Sequence, residues 1–94
     1  MKNVDLHTCP CCGYKTLEDR REWSTCQVCI WNDDEIQADK PDFKGGPNKG
    51  VSLREAQKNF KEIGVCSIYM LERKKTSAAL RYKKDSNFKP LEQY

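Results

Sequence analysis

"HTCPCCGYKT", residues 7–16, places three of the chain's six cysteines within four consecutive positions, just behind its single histidine. Cys9 and Cys12 form a C-x-x-C pair; Cys26 and Cys29 form a second one thirteen residues further on. Zinc favours four tetrahedral thiolates, and a two-residue spacer lets one tight turn aim two sulfurs at a single ion. Two such turns complete one site. Pro10 pre-sets the first turn, and Gly13 permits the unusual backbone angle that follows its second sulfur. The second turn, "CQVCIW", lacks that glycine, and the gap between the pairs is slightly shorter than the usual ribbon window. The expectation is one structural zinc ion held by Cys9, Cys12, Cys26 and Cys29. Iron in the same four-thiolate cage and simple buried thiols are the competing readings. A metal contribution on the order of 10 kcal/mol would replace much of the core that a short polar chain lacks.

The remaining candidates narrow the chemistry. Cys11 lies inside the first turn and cannot join the same tetrahedron without displacing a better-placed neighbour. It reads as a small packed side chain, or as a thiol acidified by the metal that could pair with Cys66 on oxidation. His7 is too close to Cys9 to form a standard ligand pair. No H-E-x-x-H or zinc-deaminase pattern is present, and four thiolates leave no open position for an activated water. The expectation is a protein that is not an enzyme, with no small-molecule substrate. Asp33, Asp34, Glu35, Asp39 and Asp42 miss the spacing of a calcium loop and read as a solvated loop.

Ninety-four residues, a third of them charged, make a single small domain that needs a staple. The start "MKNVDLHTCP" has no apolar stretch resembling a signal peptide, so the expectation is reduced thiols in the cytoplasm. The longest strongly apolar run, "SIYML" at 67–71, falls far short of the roughly 20 residues of a membrane span. The formal charge of +3 is unevenly distributed. Residues 1–66 carry ten Lys and Arg against eleven Asp and Glu, whereas residues 67–94 carry seven against three.

The most secure element is a helix over 52–63. Ser52 and Glu55 have capping-box spacing, Leu53, Ala56, Phe60 and Ile63 form one apolar stripe, and Gly64 supplies the stop. A second helix is predicted over about Ile68 to Lys83, followed by an extended end. "YKTLEDRREWSTC" fits short strands or a hairpin. Residues 32–50, with five acidic residues, two prolines and three glycines, read as a structured loop rather than a regular element. The expected architecture is therefore a small α+β protein: a zinc ribbon with rubredoxin-like knuckles and short antiparallel strands, followed by two helices. Residues 1–66 would form the ribbon domain, including the capped helix, and 67–94 a basic helix with a tail.

Beyond these patterns, "CPCCGY", "CQVCIWNDDEIQ", "FKGGPNKGVSLREAQKNF" and "IGVC" together resemble the cysteine-rich CPCC family of small bacterial proteins, over roughly residues 8–66. Cys9, Cys11, Cys12 and Gly13 match its first block, and Cys26, Cys29, Trp31, Asp33 and Asp34 its second. Gly45, Gly46, Asn48, Ser52, Leu53, Ala56 and Asn59 match the third, and Cys66 the last. Gln27 stands where the family usually has proline, and the spacing after Asn48 is one residue longer. The resemblance implies a zinc-ribbon-like fold and a bacterial or phage setting, but no activity. It also suggests Trp31, Asp33, Asp34, Gly46 and Asn48 as a recognition surface beside the metal, although Asp34 and Asn48 could equally satisfy backbone amides in turns.

Three functions compete. In the first, zinc fixes a rigid ribbon that binds a protein partner, with Trp23, Trp31, Phe43 and Phe60 as candidate aromatic anchors. In the second, Arg73, Lys74, Lys75, Arg81, Lys83 and Lys84 on the basic C-terminal helix neutralise nucleic-acid phosphates while Tyr82 stacks. In the third, iron or the Cys11 and Cys66 thiols carry electrons. The protein-binding reading is the one adopted.

Overall fold

In the computed structural model, the described residues are 6–75 and 77–91. They form a small α+β fold in which each cysteine pair sits at the tip of its own antiparallel strand pair. Strand β1 (His7–Thr8) pairs with β2 (Lys15–Leu17), and β3 (Glu22–Thr25) with β4 (Asn32–Asp34). Short strands thus form in the segment between the cysteine pairs, but β2 and β3 do not pair with each other. Each pairs across its own cysteine turn. The first turn is closed by Gly13 N–H to Cys9 O (2.9 Å), and the second by Ile30 N–H to Cys26 O (3.0 Å).

Residues 32–50 depart from the expected loop. Asp34 ends β4 and its carboxylate accepts from Gln37 N–H (3.0 Å), capping a five-residue helix α1 (Glu35–Asp39). An Asp N-cap supplies the acceptor that a helix start lacks, and it does so here inside an acidic stretch that otherwise reads as loop.

Helix α2 (Leu53–Ile63) forms as its sequence dictates. Ser52 accepts from Glu55 N–H, the Glu55 carboxylate accepts from Ser52 N–H (both 3.1 Å), and Gly64 takes the left-handed conformation at φ 81°. Leu53 and Ala56 are buried, and Phe60 and Ile63 pack against the core. That core also contains Leu17, Val28, Ile30, Trp31, Val65, Met70, Ala78 and all six cysteines.

The predicted second helix over Ile68 to Lys83 is not continuous. Two 3-10 helices, Ile68–Arg73 and Ala78–Arg81, stand in its place. Among the described residues of this stretch only Met70 and Ala78 are buried, with Ala79 and Tyr82 packed half-buried against the core, while Ile68, Tyr69, Leu71 and Leu80 are exposed. Helix-forming composition does not hold an α-helix that lacks an apolar face to bury. The segment beyond is extended, as expected, and folds back on the first hairpin. Lys15 N–H donates to Lys83 O and Asp85 N–H to Gly13 O (both 2.8 Å), with Tyr14 bridging Lys84. Further along, Leu91 N–H donates to Gln57 Oε1 on α2 (2.8 Å). Among the described residues, no helix is long and apolar enough to cross a membrane.

Candidate metal centre

The two hairpin tips face each other and bring four sulfurs together. Cys9 Sγ lies 3.6 Å from Cys29 Sγ, Cys12 Sγ lies 3.7 Å from Cys26 Sγ, and all four lie within 4.8 Å of one another. All six cysteines are free thiols. A tetrahedral ion with metal–sulfur arms of about 2.3 Å needs sulfur–sulfur edges of about 3.8 Å. The quartet has that size, so Cys9, Cys12, Cys26 and Cys29 could hold a metal ion.

Electrostatics point the same way. Hydrogen bonds from Cys12, Cys29 and Cys9 hold the Cys26 thiol far below its ordinary range. Thr16 Oγ1–H (3.0 Å) and the N–H groups of Val28 (3.3 Å) and Cys29 (3.4 Å) also donate to Cys26 Sγ. Burial pushes the Cys9 and Cys29 thiols up, and the neighbouring Cys26 sulfur does the same to Cys12. Four anions packed this closely repel one another, and a central cation is what lets them ionise together. Thr16 and Gln57, whose side-chain amide donates to Pro10 O within the first turn (2.7 Å), support the centre without any motif that marks them in the sequence.

Cys11 and Cys66 lie outside the quartet and are buried. Burial pushes the Cys66 thiol up to about 12, which suits a packed side chain rather than an acidified one. Its N–H donates to Cys29 O (2.8 Å), tying the end of α2 to the second turn. His7 is exposed on β1.

Trp31, Asp33, Asp34 and Asn48 do not present a surface; all four are at most 8% exposed. Asn48 Nδ2 donates to Asn32 O and its Oδ1 accepts from Asn32 N–H (both 2.9 Å), so one side chain replaces a neighbouring strand along β4. The same Nδ2 reaches Gln37 Oε1 (2.7 Å), while Gln37 Nε2 donates to Phe43 O and Val51 O (both 2.8 Å). Asp34 also accepts from Trp23 Nε1–H (2.7 Å), and Asp33 from Arg21 N–H. Burial is the main influence raising the Asp33 carboxyl above its ordinary value. The indole N–H of Trp31 has no partner among the described residues, a cost of about 1–3 kcal/mol set against burial of the whole ring. Gly46 is the exposed member, held at φ 95° where a side chain would be strained. These residues form an internal brace for the loop after β4.

The six basic candidates, Arg73, Lys74, Lys75, Arg81, Lys83 and Lys84, are all exposed. They do not share a helix face, because the helix expected to carry them is broken. Lys74 Nζ donates to Ile63 O (3.3 Å) at the end of α2, where a cation suits the helix dipole.

A family model described as cysteine-rich CPCC matches residues 7–80, most of the chain. The chain belongs to the cysteine-rich CPCC family. Its match covers both cysteine pairs, the brace around Asn48 and helix α2, and stops before the segment that folds back over the first turn. No curated protein matches the chain significantly.

Proposed function

We propose that this protein is a non-catalytic interaction module of the zinc-ribbon type, in which one structural zinc ion fixes a small rigid scaffold that binds a protein partner. The observation that carries this reading is the closure of the quartet. Cys9, Cys26 and Cys29 are 0% exposed and Cys12 is 3% exposed, so a metal held there has four protein ligands and no approach for substrate. A closed thiolate site stabilises a fold rather than performing hydrolysis. Binding would then fall to the surface, where Trp23, Ile36, Phe43, Ile68, Tyr69, Leu71 and Leu80 leave apolar side chains in solvent.

Metal analysis of purified, reduced protein tests the first half: one zinc per chain supports the reading, and a metal-free yet fully ordered protein overturns it. Stoichiometric iron with visible absorption would favour electron transfer instead. Cross-linking and affinity capture from the native host test the second half, which fails when no stable protein complex is recovered. The exposed basic residues of 73–84 support nucleic-acid binding as a second reading. Titration at two salt concentrations separates the two, since phosphate contacts weaken steeply with salt.

A further inference from the structure

Beside the first cysteine turn, a half-open groove of about 560 Å³ runs between helix α2 and the returning C-terminal segment. Half-buried Phe60, Phe88 and Leu91 line it, and Phe60 is steadied by an edge-on contact with Tyr14 (ring centroids 6.5 Å apart). Exposed Lys58, Lys61 and Lys84 also line it, against one acid, Glu62. Among the described residues, none of these three lysines takes part in a salt bridge. Apolar walls with unneutralised cations at the edge match a ligand that combines an apolar anchor with negative charge. Three cations against one acid favour an acidic occupant over a neutral or basic one. The groove's volume accommodates a few side chains, and its open side lets a chain pass through.

We propose that this groove is the docking site for an acidic peptide segment of the partner, with one aromatic or aliphatic residue seated between Phe60 and Phe88 and flanking carboxylates at Lys58, Lys61 and Lys84. The proposal rests on the protein-binding reading above and names the surface that serves it. The segment beyond the family match builds one wall through Phe88 and Leu91.

The test uses the full, zinc-loaded, isotopically labelled chain and synthetic peptides of sequence EDEFEDE, with Leu, Trp or Tyr as alternative anchors. EDEGEDE and KRKFKRK serve as controls. Saturable amide shifts are expected over 57–62 and 84–91 for the anchored acidic peptides. Binding should be at least about fivefold weaker for EDEGEDE and absent for KRKFKRK, and should weaken with salt. The double variant K58E/K61E, whose positions are exposed on α2, should lose at least about tenfold in affinity with an unchanged far-UV spectrum. Absence of saturable binding, shifts confined to 68–81, or an affinity indifferent to K58E/K61E would each overturn the groove assignment. A host partner still captured by K58E/K61E overturns the groove while leaving the protein-binding reading intact. Peptide binding with no host partner recovered does the reverse.

Discussion

Gly13 and Ile30 occupy equivalent positions after the second sulfur of each turn, and both adopt positive φ, 83° and 68°. For glycine this costs little; for a β-branched residue it is a real strain, on the order of 1–2 kcal/mol. Ile30 is nonetheless 4% exposed, and burial of such a side chain outweighs the strain because truncating it typically costs about 2–5 kcal/mol. Ile30→Gly should therefore destabilise by about 1–3 kcal/mol despite relieving the backbone, as measured by urea unfolding of the metal-loaded protein. Gly13→Ala meets both penalties at once. Its Cβ would lie 2.5 Å from Phe88 Cδ2 at an unfavourable φ, so a loss of about 2–3 kcal/mol is expected in the same assay, with the Phe88 ring resonances displaced. The clustering of Cys9, Cys12, Cys26 and Cys29 was legible because C-x-x-C spacing is local. The roles of Asp34 and Asn48 were not, since Asn48 serves a backbone sixteen residues away and its type alone does not distinguish a brace from a contact surface.

Helix α2 was readable from one end to the other because its cap, stripe and stop are all encoded within thirteen residues, Ser52 to Gly64. Ser52→Ala should cost about 1 kcal/mol by thermal or urea unfolding. Its partner gives a pH signature. The Ser52 N–H, chiefly, lowers the Glu55 carboxyl below its ordinary value of 4.5. A depressed carboxyl stabilises the fold above its unfolded pKa, and that contribution fades as pH falls through the lower folded value. Replacing Glu55 with Gln should lower stability modestly at pH 7 and change little in strong acid, where the carboxyl is already protonated, so the acid limb of the stability curve below about pH 4.5 flattens. The C-terminal helix was over-read for the opposite reason. Lys, Arg, Ala and Leu favour helix locally, but among the described residues only Met70 and Ala78 are fully buried, and tertiary packing rather than propensity decided the outcome. Helix α1 was missed because five residues are too few to show a period; only the cap at Asp34 marks it.

The interior is small, made of six cysteines, a few aliphatic side chains and one tryptophan, so an ion held by the quartet would carry a large share of the stability of the whole molecule. With zinc bound, adding a strong chelator at neutral pH should unfold the chain in one transition, seen as lost near-UV signal at Trp31 and collapse of amide dispersion, with an apparent free energy on the order of 10 kcal/mol. Cys29→Ser should leave a chain that binds metal far more weakly and is unfolded at concentrations where the parent is ordered, with metal titration followed by circular dichroism as the check.

The contact between Thr8 Oγ1–H and Asp85 Oδ2 (2.7 Å) joins residues separated by 77 positions, and Phe88 lies against Gly13. During translation, then, the first cysteine turn leaves the ribosome long before the residues that cover it have been made. An ion taken up by the quartet would thus have an interval in which to enter before Asp85 and Phe88 cover the turn.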